Sequence, residues 1–100
     1  MPFNTPIRDW HGKRVWIVGA STGIGAALAE ALVAAGAHVA VSARRAEALA
    51  AMAAAHPDGR MLAVPLDITD LPRWQAARAE VVAGLGGIDL AVFMAGEYKP

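Results

Sequence analysis

The sequence predicts an α/β protein: half of a doubly wound parallel sheet, built β-α-β-α-β-α-β with strand order 3-2-1-4. Three observations point there. Four short apolar runs, at 14–19, 38–42, 61–66 and 88–94, alternate with three segments of helical composition. The connections are short, about two to six residues, so successive strands pair in parallel through right-handed helical crossovers. A glycine-rich turn, Gly19-Ala-Ser-Thr-Gly-Ile-Gly25, lies between the first strand and the first helix. No repeat, low-complexity tract or linker interrupts the alternation, so residues 1–100 are read as one domain.

Residues 1–12 carry two prolines, an Asn-Thr pair and a His11-Gly12 turn, and form a lead-in. The first strand, 14–19, is apolar on both faces, as a strand covered by helices on each side must be. In the helix that follows, Ile24, Leu28 and Leu32 recur at i, i+4 and i+8 with Ala27, Ala31 and Ala35 beside them. This stripe is expected on the sheet, with Glu30 pointing away and Gly36 as the C′ stop. His38–Ser42 is the second strand, and a helix over about 46–55 presents Leu49, Met52 and Ala53 to the core. His56-Pro-Asp-Gly59 ends that helix. Met61–Leu66 is the third strand, with Pro65 near its end, where a lost donor is tolerable. Asp70 caps a third helix, about 71–84, with Pro72 in its first turn and Trp74, Ala77, Val81 and Leu85 inward. Gly84, Gly86 and Gly87 break it, and 88–94 is the fourth strand.

Composition narrows the function. Hydrophobic residues make up 56% of the chain, a figure inflated by alanine between 26 and 55, yet enough Leu, Ile, Val, Met and Trp remain for a core. A net charge of +0 gives no electrostatic case for nucleic acid or an anionic membrane. The absence of cysteine excludes disulfides and thiolate catalysis. No signal-peptide core opens the chain, and no apolar run reaches roughly 18 residues, so a cytoplasmic location without a membrane span is expected. His11, His38 and His56 lack ligand spacing, and no metal site is expected. Trp10, Trp16 and Trp74 read as packing residues, because no basic groove accompanies them.

Each glycine of the turn has its own task. Gly19 lets the strand turn sharply, Gly23 removes a Cβ that would hold backbone away from a pyrophosphate, and Gly25 lets the helix pack close to the strand. The free N–H groups at 23–25 then lie at the positive end of a helix, where they can bind phosphate. Downstream, the second strand ends Ser42-Ala-Arg44-Arg45, with no carboxylate between Glu30 and Glu47 to accept from a ribose 2′-OH. A guanidinium there can pair bidentately with a 2′-phosphate, and its flat face can stack on adenine. Arg44 is the principal candidate for such a contact, with Arg45 or Ser42 assisting.

Together with the turn, three segments carry a resemblance: His11-Gly-Lys-Arg-Val15, Leu66-Asp-Ile68, and Ile88-Asp89 followed by Ala95-Gly96. Over roughly residues 9–96 the chain resembles the classical short-chain dehydrogenases/reductases. The resemblance implies a Rossmann fold and a nicotinamide cofactor, and with Arg44 at the end of the second strand NADP(H) is preferred over NAD(H), which stays possible. It places Ser21, Thr22 and Ile24 on the cofactor with the glycines, Asp67 and the Ile68 backbone at adenine, and Ala95 and Gly96 beside the nicotinamide ribose. Thr22 departs from relatives with a basic residue before the second glycine. Phe93 and Met94 replace two asparagines usual in the family, which marks a divergent member. Asp89 is expected to tie down the loop before the fourth strand.

The family reduces carbonyls with a serine, a Tyr-x-x-x-Lys pair and a supporting asparagine, the tyrosine moving the proton while hydride moves at the nicotinamide. Tyr98 is followed directly by Lys99, the wrong spacing, so no catalytic residue is assigned. The expectation is an N-terminal cofactor half of a reductase acting on a small-molecule carbonyl or alcohol, a homo-oligomer at full length. Alone, it is expected to be inactive and to present the fourth strand as an apolar edge. The alternative is a non-catalytic dinucleotide-binding or sensor module on the same fold.

Overall fold

A computed structural model describes residues 9–20 and 23–94. Seven elements follow in the order β1 (Arg14–Val18), α1 (Gly23–Ala34), β2 (His38–Ser42), α2 (Ala46–Ala54), β3 (Met61–Ala63), α3 (Leu71–Leu85) and β4 (Leu90–Phe93). The strands form one parallel sheet in the order β3-β2-β1-β4, as the sequence predicts. The arrangement is Rossmann-like.

Side chains alternate between the two faces of the sheet, and each face has its own core. On one, Val15, Ile17, Val39 and Val41 meet Ala29, Leu32 and Val33 of α1 and Leu49 of α2. On the other, Trp16, Val18 and Ala40 meet Ala77 and Val81 of α3. Ile17, Val15, Val39, Val41 and Leu49 are fully buried. Each such aliphatic side chain contributes about 1.5–3 kcal/mol relative to exposure. The two helices of the first face are joined at their rim: His56 Nε2, just past α2, lies 2.8 Å from Glu30 Oε1 on α1.

Helix α1 sets Leu32 and, in part, Leu28 on the sheet as expected, but it is rotated so that Ile24 and the flanking alanines leave the contact. Its buried residues are Gly25, Ala29, Leu32 and Val33, while Ile24 is 76% exposed and Ala27, Ala31 and Ala35 face outward. Leu28 is half-buried. The first turn of the helix lies against the end of β1 at Gly25, where a Cβ would stand 2.6 Å from Gly19 O, and Ala29 follows one turn later on the same side.

Strand β3 is shorter than expected. Ladder pairing persists through Val64 N–H to Val41 O and Leu66 N–H to Ala43 O, each 2.9 Å, but Pro65 between them donates nothing. Its carbonyl instead accepts from Arg73 Nε at 2.9 Å and Nη2 at 2.6 Å. Strand β4 begins at Leu90 rather than Ile88, because the Asp89 carboxylate takes the Arg14 N–H at 2.8 Å.

Helix α3 starts as predicted: Asp70 Oδ1 accepts from the Arg73 N–H at 3.2 Å. Replacing Asp70 by Ala is expected to lower stability by about 1 kcal/mol, read from urea unfolding midpoints at unchanged slope. The helix runs through Gly84, where a Cβ would collide with the Leu62 side chain, and stops at Gly86, whose φ is +87°. Gly84 is therefore a packing residue, not a breaker. Among the described residues β4 is a sheet edge, with Leu90 37% and Phe93 59% exposed. No helix among them is long and apolar enough to cross a membrane.

Candidate functional site

The carboxyl ends of the four parallel strands meet along one edge, and the order reverses between β1 and β4. In doubly wound sheets that switch point is where ligands bind. Gly19 leaves β1 at a φ of +93°, and its N–H and that of Ala20 donate to Ser42 O at 2.6 and 3.1 Å. A Cβ on Gly19 would stand 2.5 Å from Met94 O. A Cβ on Gly25 would stand 2.6 Å from Gly19 O and 3.0 Å from Ala20 Cα. Both glycines thus perform the tight turn and close helix packing read from the sequence. Gly23 differs: its φ is +51°, and no protein atom lies within 4 Å of where a Cβ would project. With the first N–H groups of α1, that bare backbone suits a phosphate.

At the end of β2, Arg44 and Arg45 are exposed, and Arg45 occupies the N-cap position of α2 without a side-chain cap bond. Ser42 has no exposed surface; its Oγ accepts from Trp16 Nε1 at 2.8 Å, on the α3 side of the sheet. Its hydroxyl is thus engaged in the core, and it bears on the turn through its carbonyl, which anchors Gly19 and Ala20. At the end of β3, Asp67 Oδ1 accepts from the Thr69 N–H at 3.0 Å and the Thr69 hydroxyl at 2.7 Å. These bonds hold the Asp67 carboxyl below its ordinary range, the backbone bond most, with a smaller pull from Arg44, which stands across the strand ends from it. Ile68 is 58% exposed, and its carbonyl accepts from Trp74 Nε1 at 2.9 Å. Trp74 stacks on Phe93 at 5.4 Å with 13° between planes and meets Trp16 edge-on at 5.9 Å.

The strand-end groups Gly19, Arg44, Asp67, Ile68 and Met94 therefore share one rim with Gly23 and Ile24, while Ser21, Thr22, Ala95 and Gly96 lie outside the described residues. Thr69 and Trp74 were absent from the sequence reading of the site. Asp-x-Thr is an Asx-turn signature that would have found Thr69; Trp74 depends on tertiary packing. Asp89 ties β4 to β1 as expected, accepting from Arg14 N–H, Nε and Nη2 at 2.8, 3.1 and 3.1 Å. Those bonds, the side-chain ones first, hold its carboxyl down at about 2. Because the folded value lies below the ordinary 3.8, this clamp's stabilisation is complete above that range and disappears as pH falls through about 2. Thermal melts across pH 7 to 2 should show Asp89→Asn less stable than the unsubstituted chain at neutral pH, with the gap closing toward pH 2.

The fold and its turn define a nucleotide-binding α/β class. More closely, the short chain dehydrogenase family model matches residues 13–100, and the chain belongs to that family. It is 34% identical over 91 residues to an uncharacterized oxidoreductase of Mycobacterium tuberculosis, covering 87% of this chain and 36% of that protein. A short-chain dehydrogenase structure from Streptomyces avermitilis is 48% identical, with a TM-score of 0.70 over 79% of this chain and 29% of that one. The 3-ketoacyl-(acyl-carrier-protein) reductase from Brucella melitensis, complexed with NADH, matches at a TM-score of 0.78 and 28% identity, over 82% of this chain and 34% of its own. The chain spans about a third of the length of these relatives.

Proposed function

We propose that these residues form the N-terminal cofactor-binding half of a short-chain oxidoreductase that prefers NADP(H), with NAD(H) as the weaker ligand. One observation carries the reading: Arg44 stands exposed at the carboxyl end of β2, on the rim shared with Gly23, and no carboxylate precedes Glu47 after Glu30. The residues fit a dinucleotide. Gly23 and the N-terminus of α1 receive the pyrophosphate, Arg44 with Arg45 the 2′-phosphate, and Asp67 and Ile68 the adenine. Asp67 keeps one carboxylate oxygen without a bond to Thr69, and that oxygen is the acceptor for the adenine amino group. Ser21 and Thr22 are assigned to the same cofactor, and Ala95 and Gly96 to its nicotinamide ribose, by the family resemblance.

When bound, the cofactor supplies the hydride for reduction of a small-molecule carbonyl or accepts it from an alcohol. What this chain contributes is binding and orientation; the proton-transfer groups belong to the remainder of a full-length homo-oligomer. Titration of NADPH and NADH into the unsubstituted protein tests the cofactor reading, which expects at least about tenfold tighter NADPH binding from one charge-assisted bidentate pair. Equal dissociation constants would overturn it. Phe93 and Met94, in place of the family's asparagines, favour a second reading as a non-catalytic dinucleotide sensor. Oxidation of NADPH by the full-length protein, dependent on an added carbonyl compound, excludes that reading.

A further inference from the structure

We propose that Trp74, braced by Phe93, is a positioning residue for the adenine end of the dinucleotide; the inference rests on the dinucleotide reading above. Five residues shape the loop between β3 and α3. Asp67 and Thr69 close an Asx turn, and the Asp70 N–H donates to Asp67 O at 2.9 Å. Both sets of bonds are local to the turn itself. Arg73 grips it at Pro65 O, before the turn begins. Within the turn, the bond from Trp74 Nε1 to Ile68 O joins its crest to the body of α3.

An indole N–H aims well only if its ring is fixed, and Trp74 is only half-buried. Its ring is instead held by two aromatic neighbours. Phe93 stacks on one face from the end of β4, and Trp16 meets it edge-on from β1. Trp16 is in turn fixed by Ser42 at the end of β2. The orientation of Ile68 is thus referred to three strands at once. Phe93 stands where the family carries an asparagine, and in this chain that position contributes a ring to the adenine loop. With the Ile68 carbonyl held by Trp74, its side chain stands exposed on the rim next to Asp67 in the chain.

The test compares the two halves of the cofactor. Binding of ADP, by calorimetry, and of reduced nicotinamide mononucleotide, by fluorescence, is measured on the protein as expressed and on Trp74→Phe and Phe93→Leu. Trp74→Phe keeps a ring in the stack but loses the N–H. Its ADP dissociation constant should rise about fivefold, the worth of one hydrogen bond, with the nicotinamide half unchanged. Phe93→Leu should weaken ADP in the same direction by less, and it decides the matter should Trp74→Phe not fold. ADP binding that is unchanged, or an equal loss for both halves, overturns the proposal, since a merely structural role would not separate them. Failure of the unsubstituted protein to bind either half would overturn the dinucleotide reading itself.

Discussion

Replacing Arg44 by aspartate is expected to reverse the cofactor preference. Loss of a charge-assisted, bidentate contact to the 2′-phosphate, together with repulsion from the new carboxylate, should weaken NADPH on the order of 100-fold. NADH should gain, because an aspartate at the end of β2 can accept from the ribose 2′-OH. The surroundings reinforce the effect. Arg44 helps to hold the Asp67 carboxyl down, so Arg44→Asp replaces an attraction with a like-charge pair across the ends of β2 and β3. Dissociation constants for both dinucleotides, with melting temperatures measured alongside, separate the electrostatic effect from unfolding. A variant that retains the original NADPH to NADH ratio would show that Arg44 is a solvated surface arginine.

The second large effect lies in the turn, and it distinguishes glycines that look equivalent in the sequence. Gly19→Ala places a Cβ at a φ of +93° and 2.5 Å from the Met94 carbonyl, with Met94 Cβ at 3.2 Å. Backbone strain and the clash with a neighbouring strand add, for about 3 kcal/mol or more of lost stability. That is a large share of the roughly 5–15 kcal/mol that holds a domain folded. Gly23→Ala, with a φ of +51° and no atom within 4 Å, carries only the left-handed penalty of about 1–2 kcal/mol. Its larger consequence should be loss of dinucleotide affinity, because the new methyl projects where the pyrophosphate would lie. Urea unfolding and NADPH titration of the two variants should therefore rank them in opposite orders.

Much of the fold was legible because it is written in period and punctuation. The apolar runs, Gly36 and the Asp70 cap placed β1, β2 and the helices within a residue or two, and topology followed from the crossover rule. What escaped was decided by atoms distant in sequence. The apolar period pointed to Ile24 on the sheet, whereas the approach of α1 to the turn selected Gly25 and Ala29, which carry little hydropathic signal. Strand β4 lost its first residues to Asp89, whose role was foreseen but whose side chain substitutes for a ladder acceptor. In the candidate site, Arg44 and the glycines could be read directly, since each acts by its own chemistry and place in a βαβ unit. The hydroxyl of Ser42 could not, because its direction depends on Trp16, twenty-six positions earlier. Trp74 acts through the carbonyl of another residue, and such a role leaves no mark on composition or spacing.

The Arg14–Asp89 clamp also constrains how the chain is made. Its partners are 75 positions apart, and β1 receives β4 only after every other described element has been synthesised. At about 5–20 residues per second, the free side of β1 waits roughly 4–15 s on the ribosome for its neighbour. During that interval Val15, Trp16, Ile17 and Val18 present an open apolar strand flanked on one side only by β2. Newly made chains are then most open to mispairing and to chaperone capture, and arrival of the Asp89 carboxylate at the Arg14 guanidinium marks the close of that interval.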